Sequence, residues 1–214
     1  MAASVLGMTT TASASDRPTI PTDPRPDFFA TARTACDVVA AVSPAQLQDP
    51  TPCTEYDVRA LLGHVVAVLR RVTSVAAGIP ATGPAPLVTD VADDGWGAAA
   101  RAALGELETA WSDPAVLGRE MRLPFGTVPG AAALAMYTGE VSTHTWDLAV
   151  ATGQSPAWDD GILTGALAAV RSKLPAERGP GIPFAAPVAV PDDAPAIDRL
   201  VAWQGRDPRW RAGA

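Results

Sequence analysis

The chain has 214 residues, 48% of them hydrophobic, enough for one well-buried domain plus tails. Its net charge of −7 argues against nucleic acid or an anionic membrane surface as a partner, because both reward basic surface. No run of about 18 uncharged apolar residues occurs, which excludes a membrane-spanning helix, and two cysteines, Cys36 and Cys53, make no disulfide framework.

The N-terminus (MAASVLGMTTTASASDRP) lacks the basic start and long apolar stretch of a signal peptide, so the expected compartment is the reducing cytoplasm. Residues 1–26 are rich in Thr, Ser, Ala and Pro and read as a disordered leader, with Met8 an alternative start.

Four helical patterns follow. The first begins near Asp27, read as its N-cap, and repeats Phe29, Ala32, Cys36, Val39 and Val42 before Ser43-Pro44 stops it. The second opens on Thr54-Glu55-Tyr56-Asp57, read as a capping box with Asp in the Glu position. Its apolar stripe is Val58, Leu61, Leu62, Val65, Leu69, Val72 and Ala76, and Gly78 with Pro80 ends it. The third runs from about Asp93 to Ser112. The fourth starts near Pro129, carries Leu134, Tyr137, Val141, His144, Leu148 and Ala151, and closes at Thr152-Gly153.

Between the third and fourth, residues 121–128 (MRLPFGTV) read as a loop or a small hairpin, and the Gly/Pro-rich loop 78–92 is long for a bundle connection. Beyond Gly153 a fifth helix is expected over Asp159–Leu174, and a short one over Ala196–Gln204 with Gly205 at its C′ position. The expected fold is all-α: a four-helix bundle over residues 27–154, up-and-down or crossover, with an extension of one or two helices over 155–214 packed on it.

The chemistry concentrates in few residues. The chain has two histidines, His64 and His144, and both fall on or beside an inward stripe. Glu140 precedes His144 by one turn, so the two share a helix face. A histidine from a second helix completes a His/Glu/His set, a catalytic metal constellation when one position stays open. Spacing alone fits two readings. His64, Glu140 and His144 bind a divalent ion, Zn²⁺ foremost, or the histidines satisfy core hydrogen bonds and Glu140–His144 is a surface pair. Both histidines lying on core-facing stripes, with none left over, favours the first.

Asp147, one turn beyond His144, orients a liganding imidazole from behind or pairs with an arginine. Tyr137 and Trp146 read as packing, and Cys53 as structural, since no third histidine exists to activate it. The sequence holds no G-x-G-x-x-G, P-loop or G-x-S-x-G motif.

The runs PTPCTEYDVRALLGHVV (50–66) and GEVSTHTWDLAVATGQ (139–154) resemble the signature segments of the mycothiol-dependent maleylpyruvate isomerase N-terminal domain, of the DinB/YfiT-like bundle superfamily found widely in actinobacteria. The resemblance spans about residues 27–154 and implies a metal held by His64, Glu140 and His144. The run FAAPVAVPDDAPAIDRLVAWQGRDPRW is similar to the tail of an uncharacterised actinobacterial subgroup. The characterised isomerase has a larger C-terminal domain that helps bind the thiol, and residues 155–214 show no match to it.

The function expected from the resemblance is a metal-dependent isomerase or S-transferase using mycothiol or another thiol on a small substrate. A metal-dependent hydrolase, and a non-enzymatic metal- or small-molecule-binding module, are the alternatives. The sequence assigns no catalytic residue and no oligomeric state.

Overall fold

The computed structural model describes residues 23–83, 85–124, 126–179, 182 and 184–212. It contains α1 (Arg25–Ala40), α2 (Val58–Ala76), α3 (Trp96–Ala110), strands β1 (Glu120–Leu123) and β2 (Gly126–Pro129), α4 (Gly130–Ala151), α5 (Asp160–Arg171) and α6 (Ala196–Trp203). The two strands form an antiparallel hairpin with Met121 opposite Val128, so of the loop or small hairpin expected for that segment it is the hairpin.

Helix starts differ from the sequence expectation in two places. The leader expected over 1–26 falls outside the described residues up to residue 22, but its last residues are folded. Arg25 opens α1, with Pro24 as N-cap, so Asp27 sits inside the first turn rather than capping it. In α2 the cap is Asp57, not Thr54. The Asp57 carboxylate accepts from the Ala60 N–H at 2.8 Å, three residues ahead, as an N-cap does. Thr54 through Tyr56 form the turn before it, where the Thr51 hydroxyl donates to the Tyr56 carbonyl and accepts from the Cys53 N–H.

The bundle is of the crossover kind. α4 packs on α1 and α2, and α3 packs on α2 and α1, whereas α1 and α2 touch little and lie diagonally. Ridge-to-groove packing of these four faces buries Phe28, Leu61, Leu62, Leu69, Leu107, Trp111, Leu134 and Leu148 almost completely. The Trp111 indole N–H, inside this core, donates to the Val72 carbonyl at 3.0 Å and ties the end of α3 to α2.

α4 is buried nearly all round, beyond the stripe its sequence suggested. The reason lies after Gly153. α5 and α6 pack on its outer side and on each other, forming a second apolar cluster of Trp146, Leu163, Leu167, Ile197, Leu200 and Val201. Each such aliphatic side chain contributes roughly 1.5–3 kcal/mol when fully buried. α4 is therefore clamped between two cores, which fixes where its polar residues emerge.

Candidate metal centre

His64 lies two turns into α2, next to Gly63, whose carbonyl accepts from the Val88 N–H at 3.3 Å. The long loop after α2 thus folds back over the helix beside the histidine. Glu140 and His144 face it from α4. The three side chains converge as the sequence spacing suggested: each offers a ligand atom, and these atoms lie within 4.8 Å of one another.

The His64 Nε2 to Glu140 Oε1 distance is 3.8 Å, too long for a hydrogen bond. Two ligands at about 2.1 Å from one zinc ion can be up to about 4.2 Å apart, so this gap suits a shared cation. The imidazoles of His64 and His144 meet edge to face, centroids 4.7 Å apart at 81°. Tyr56 also lies against His64, ring centroids 5.2 Å apart. The donor set, two imidazoles and one carboxylate with no competing lysine, fits a divalent ion of the zinc type.

The electrostatics agree with that chemistry. Burial pushes the His64 imidazole down to about 3, helped by its neighbours His144, Arg71 and Arg206, which favours the neutral ring with a lone pair to give. Its Nδ1 is buried without a hydrogen-bond partner among the described residues. Burial raises Glu140 above the usual carboxylate range, opposed by His144 and Arg71. A cation beside it relieves that cost.

Behind His144, Asp147 faces both that imidazole and an arginine. Its carboxylate is fully buried. Oδ2 lies 3.1 Å from His144 Nδ1 and 3.2 Å from Arg206 Nη2, and Oδ1 lies 3.4 Å from Arg206 Nε. A carboxylate only accepts, so His144 Nδ1 carries a proton, and in the neutral imidazole Nε2 is then the free nitrogen. Arg206 belongs to no motif of the sequence. Its partner is 59 residues away, and no local pattern links the two.

Cys53 joins His144 and Asp147 in a second convergent group. With Arg206 already on Asp147, that group is a satisfied ion-pair network rather than a second cation site. Burial raises the Cys53 thiol. Tyr137 and Trp146 are both buried, as packing residues are.

Fold and cluster together define a DinB-like helical bundle with an inward His/Glu/His set. The chain belongs to the mycothiol maleylpyruvate isomerase N-terminal domain family, whose sequence model matches residues 28–149. It is 37% identical over 173 residues to the uncharacterized protein Rv0738 of Mycobacterium tuberculosis H37Rv, covering 80% of this chain and 91% of that one. The uncharacterized protein MT0763 of strain CDC 1551 matches equally. Among solved structures, the crystal structure of the mycothiol-dependent maleylpyruvate isomerase superposes with a TM-score of 0.52 at 18% identity, over 68% of this chain and 69% of that one. A single-substitution mutant of that isomerase superposes equally well. At that identity the likeness shows a shared fold. No helix among the described residues is long and apolar enough to cross a membrane.

Proposed function

We propose that His64, Glu140 and His144 hold a divalent metal ion, zinc foremost, and that the protein is a metal-dependent enzyme that brings a small thiol of the mycothiol kind to a small substrate. The carrying observation is the convergence of three ligand atoms within 4.8 Å from two helices. Family membership supplies the thiol: the related isomerase is mycothiol-dependent by its description.

The chain's own residues divide the work. His64, held neutral by burial, and His144, held by Asp147 through Nδ1, offer nitrogen lone pairs. Glu140 offers the single negative charge, leaving a bound dication with net positive charge toward a thiolate. When bound, the ion supplies Lewis acidity toward a sulfur or a carbonyl oxygen. Tyr56 packs against the buried His64, and the loop after α2 returns to the neighbouring Gly63 through Val88. Isomerisation and thiol transfer use the same open position, as does hydrolysis.

A purely structural ion normally takes four protein ligands. The obvious fourth, Asp147, is engaged by His144 Nδ1 and Arg206 instead, which favours the catalytic reading. The test is metal analysis of untagged protein reconstituted with zinc, beside His64→Ala. About one equivalent in the wild type and loss in the variant are expected, and a wild type without stoichiometric metal sinks the proposal. X-ray absorption at the zinc edge on adding a thiol is expected to show a zinc–sulfur distance near 2.3 Å; no sulfur contact removes the thiol part.

A further inference from the structure

We infer that Arg206 is a positioning residue for the candidate metal centre, supplied by a segment beyond residues 28–149 that the family's sequence model matches. The inference rests on the metal reading for its consequence, though not for its geometry.

Asp147 is fully buried near the C-terminal end of α4, and a buried carboxylate needs cationic or hydrogen-bonding partners. It has two. His144 and Arg206 share Oδ2, and Arg206 also reaches Oδ1 with Nε. The guanidinium therefore fixes the rotation of the carboxylate about its own axis. That rotation decides where Oδ2 stands and hence where the His144 ring is held and which nitrogen keeps the proton.

Arg206 is itself fixed. α6 ends in a Schellman turn: Gly205 has φ +86°, its N–H donates to the Ala202 carbonyl, and the Arg206 N–H donates to the Val201 carbonyl at 3.0 Å. Nη1 donates to the Gln204 carbonyl at 3.1 Å. Gln204, buried, donates through Nε2 to the Gly139 carbonyl and the Thr143 hydroxyl. The end of α6 is thus fastened to α4 from residue 139 to residue 147, the stretch that carries Glu140 and His144. A plain ion pair would neutralise Asp147 from any direction. Sharing the oxygen that holds the imidazole is what assigns a positioning role.

The test uses the full chain and two variants, Arg206→Met and Arg206→Lys. In metal-free protein, two-bond ¹H–¹⁵N spectra read the His144 tautomer. Zinc affinity is read by competition with a chromophoric chelator, with circular dichroism as the fold control. The wild type is expected to show the Nδ1–H tautomer. Arg206→Met is expected to give a mixture and to weaken zinc binding about 10–100-fold, the usual effect of losing a partner behind a ligand. Arg206→Lys keeps the charge without the fork and is expected to fall between the two. An Nε2–H tautomer in the wild type overturns the inference, as does a folded Arg206→Met with His144 tautomer and zinc affinity unchanged. If Arg206→Met does not fold, Arg206→Lys decides: wild-type values for both readouts overturn it. Should the wild type bind no zinc, the metal reading falls, while the tautomer comparison still judges Arg206.

Discussion

Gly139 and Val170 pass so closely that a β-carbon on residue 139 would stand 2.5 Å from Val170 Cγ2. The contact joins α4 to α5 one residue before Glu140. Gly139→Ala is therefore expected to push α5 outward or shift Val170 off its rotamer, costing about 1–3 kcal/mol as overpacking does. Chemical denaturation measures it, and a midpoint equal to wild type would mean that α5 yields freely.

Glu140→Gln separates stability from binding. Burial disfavours the carboxylate charge, so a neutral amide of the same shape relieves the metal-free protein. With 38% of the side chain open to water the gain is discounted to at most about 1 kcal/mol. For a chain of this size that is roughly 2–4 °C in Tm. Thermal melts in chelator are expected to show the rise while zinc binding weakens. A lower Tm would show that the carboxylate stabilises the empty site.

Metal-free stability is expected to fall as pH drops from about 6.5 toward 3. His64 is pushed down to about 3 in the fold, so across that window the unfolded chain binds a proton that the native protein refuses. Stability therefore rises with pH there, and the contribution is fully present above the unfolded value of about 6.5. Denaturation from pH 3.5 to 7 in chelator, beside His64→Gln, tests it: the variant loses part of the slope, and equal slopes refute the assignment.

Both cysteines are expected to be slow toward thiol reagents in the native state. Burial pushes Cys36 up to about 11 and raises Cys53 as well, and the thiolate is the reactive form. Ellman's reagent at pH 7.5 should titrate about two thiols only after denaturant is added. Fast native reaction of one would place Cys53 in an open channel to the site.

Much of this was legible from residue spacing. The stripes of α1 to α4 marked the bundle, because a helix facing one core must repeat its apolar residues with the helical period. Glu140 and His144 shared a face by the same arithmetic, and scarcity of histidine brought His64 into the set. Thr54 misled because Thr and Asp both cap helices well, and only the turn set by Thr51 decides that Asp57 does so. The diagonal placement of α1 and α2 was not legible, since long connections leave neighbours open. Arg206 escaped because an ion pair across 59 residues carries no period, and arginine supplies most of this chain's positive charge.

The Arg206–Asp147 pair also sets an order of events during synthesis. The His64, Glu140 and His144 side chains have all been made well before residue 206 leaves the ribosome, and domains begin to fold as they emerge. Until α6 arrives, the carboxylate behind His144 has no guanidinium and the outer side of α4 is covered by α5 alone. A nascent chain thus carries His64, Glu140 and His144 before Arg206 is there to hold Asp147 behind them.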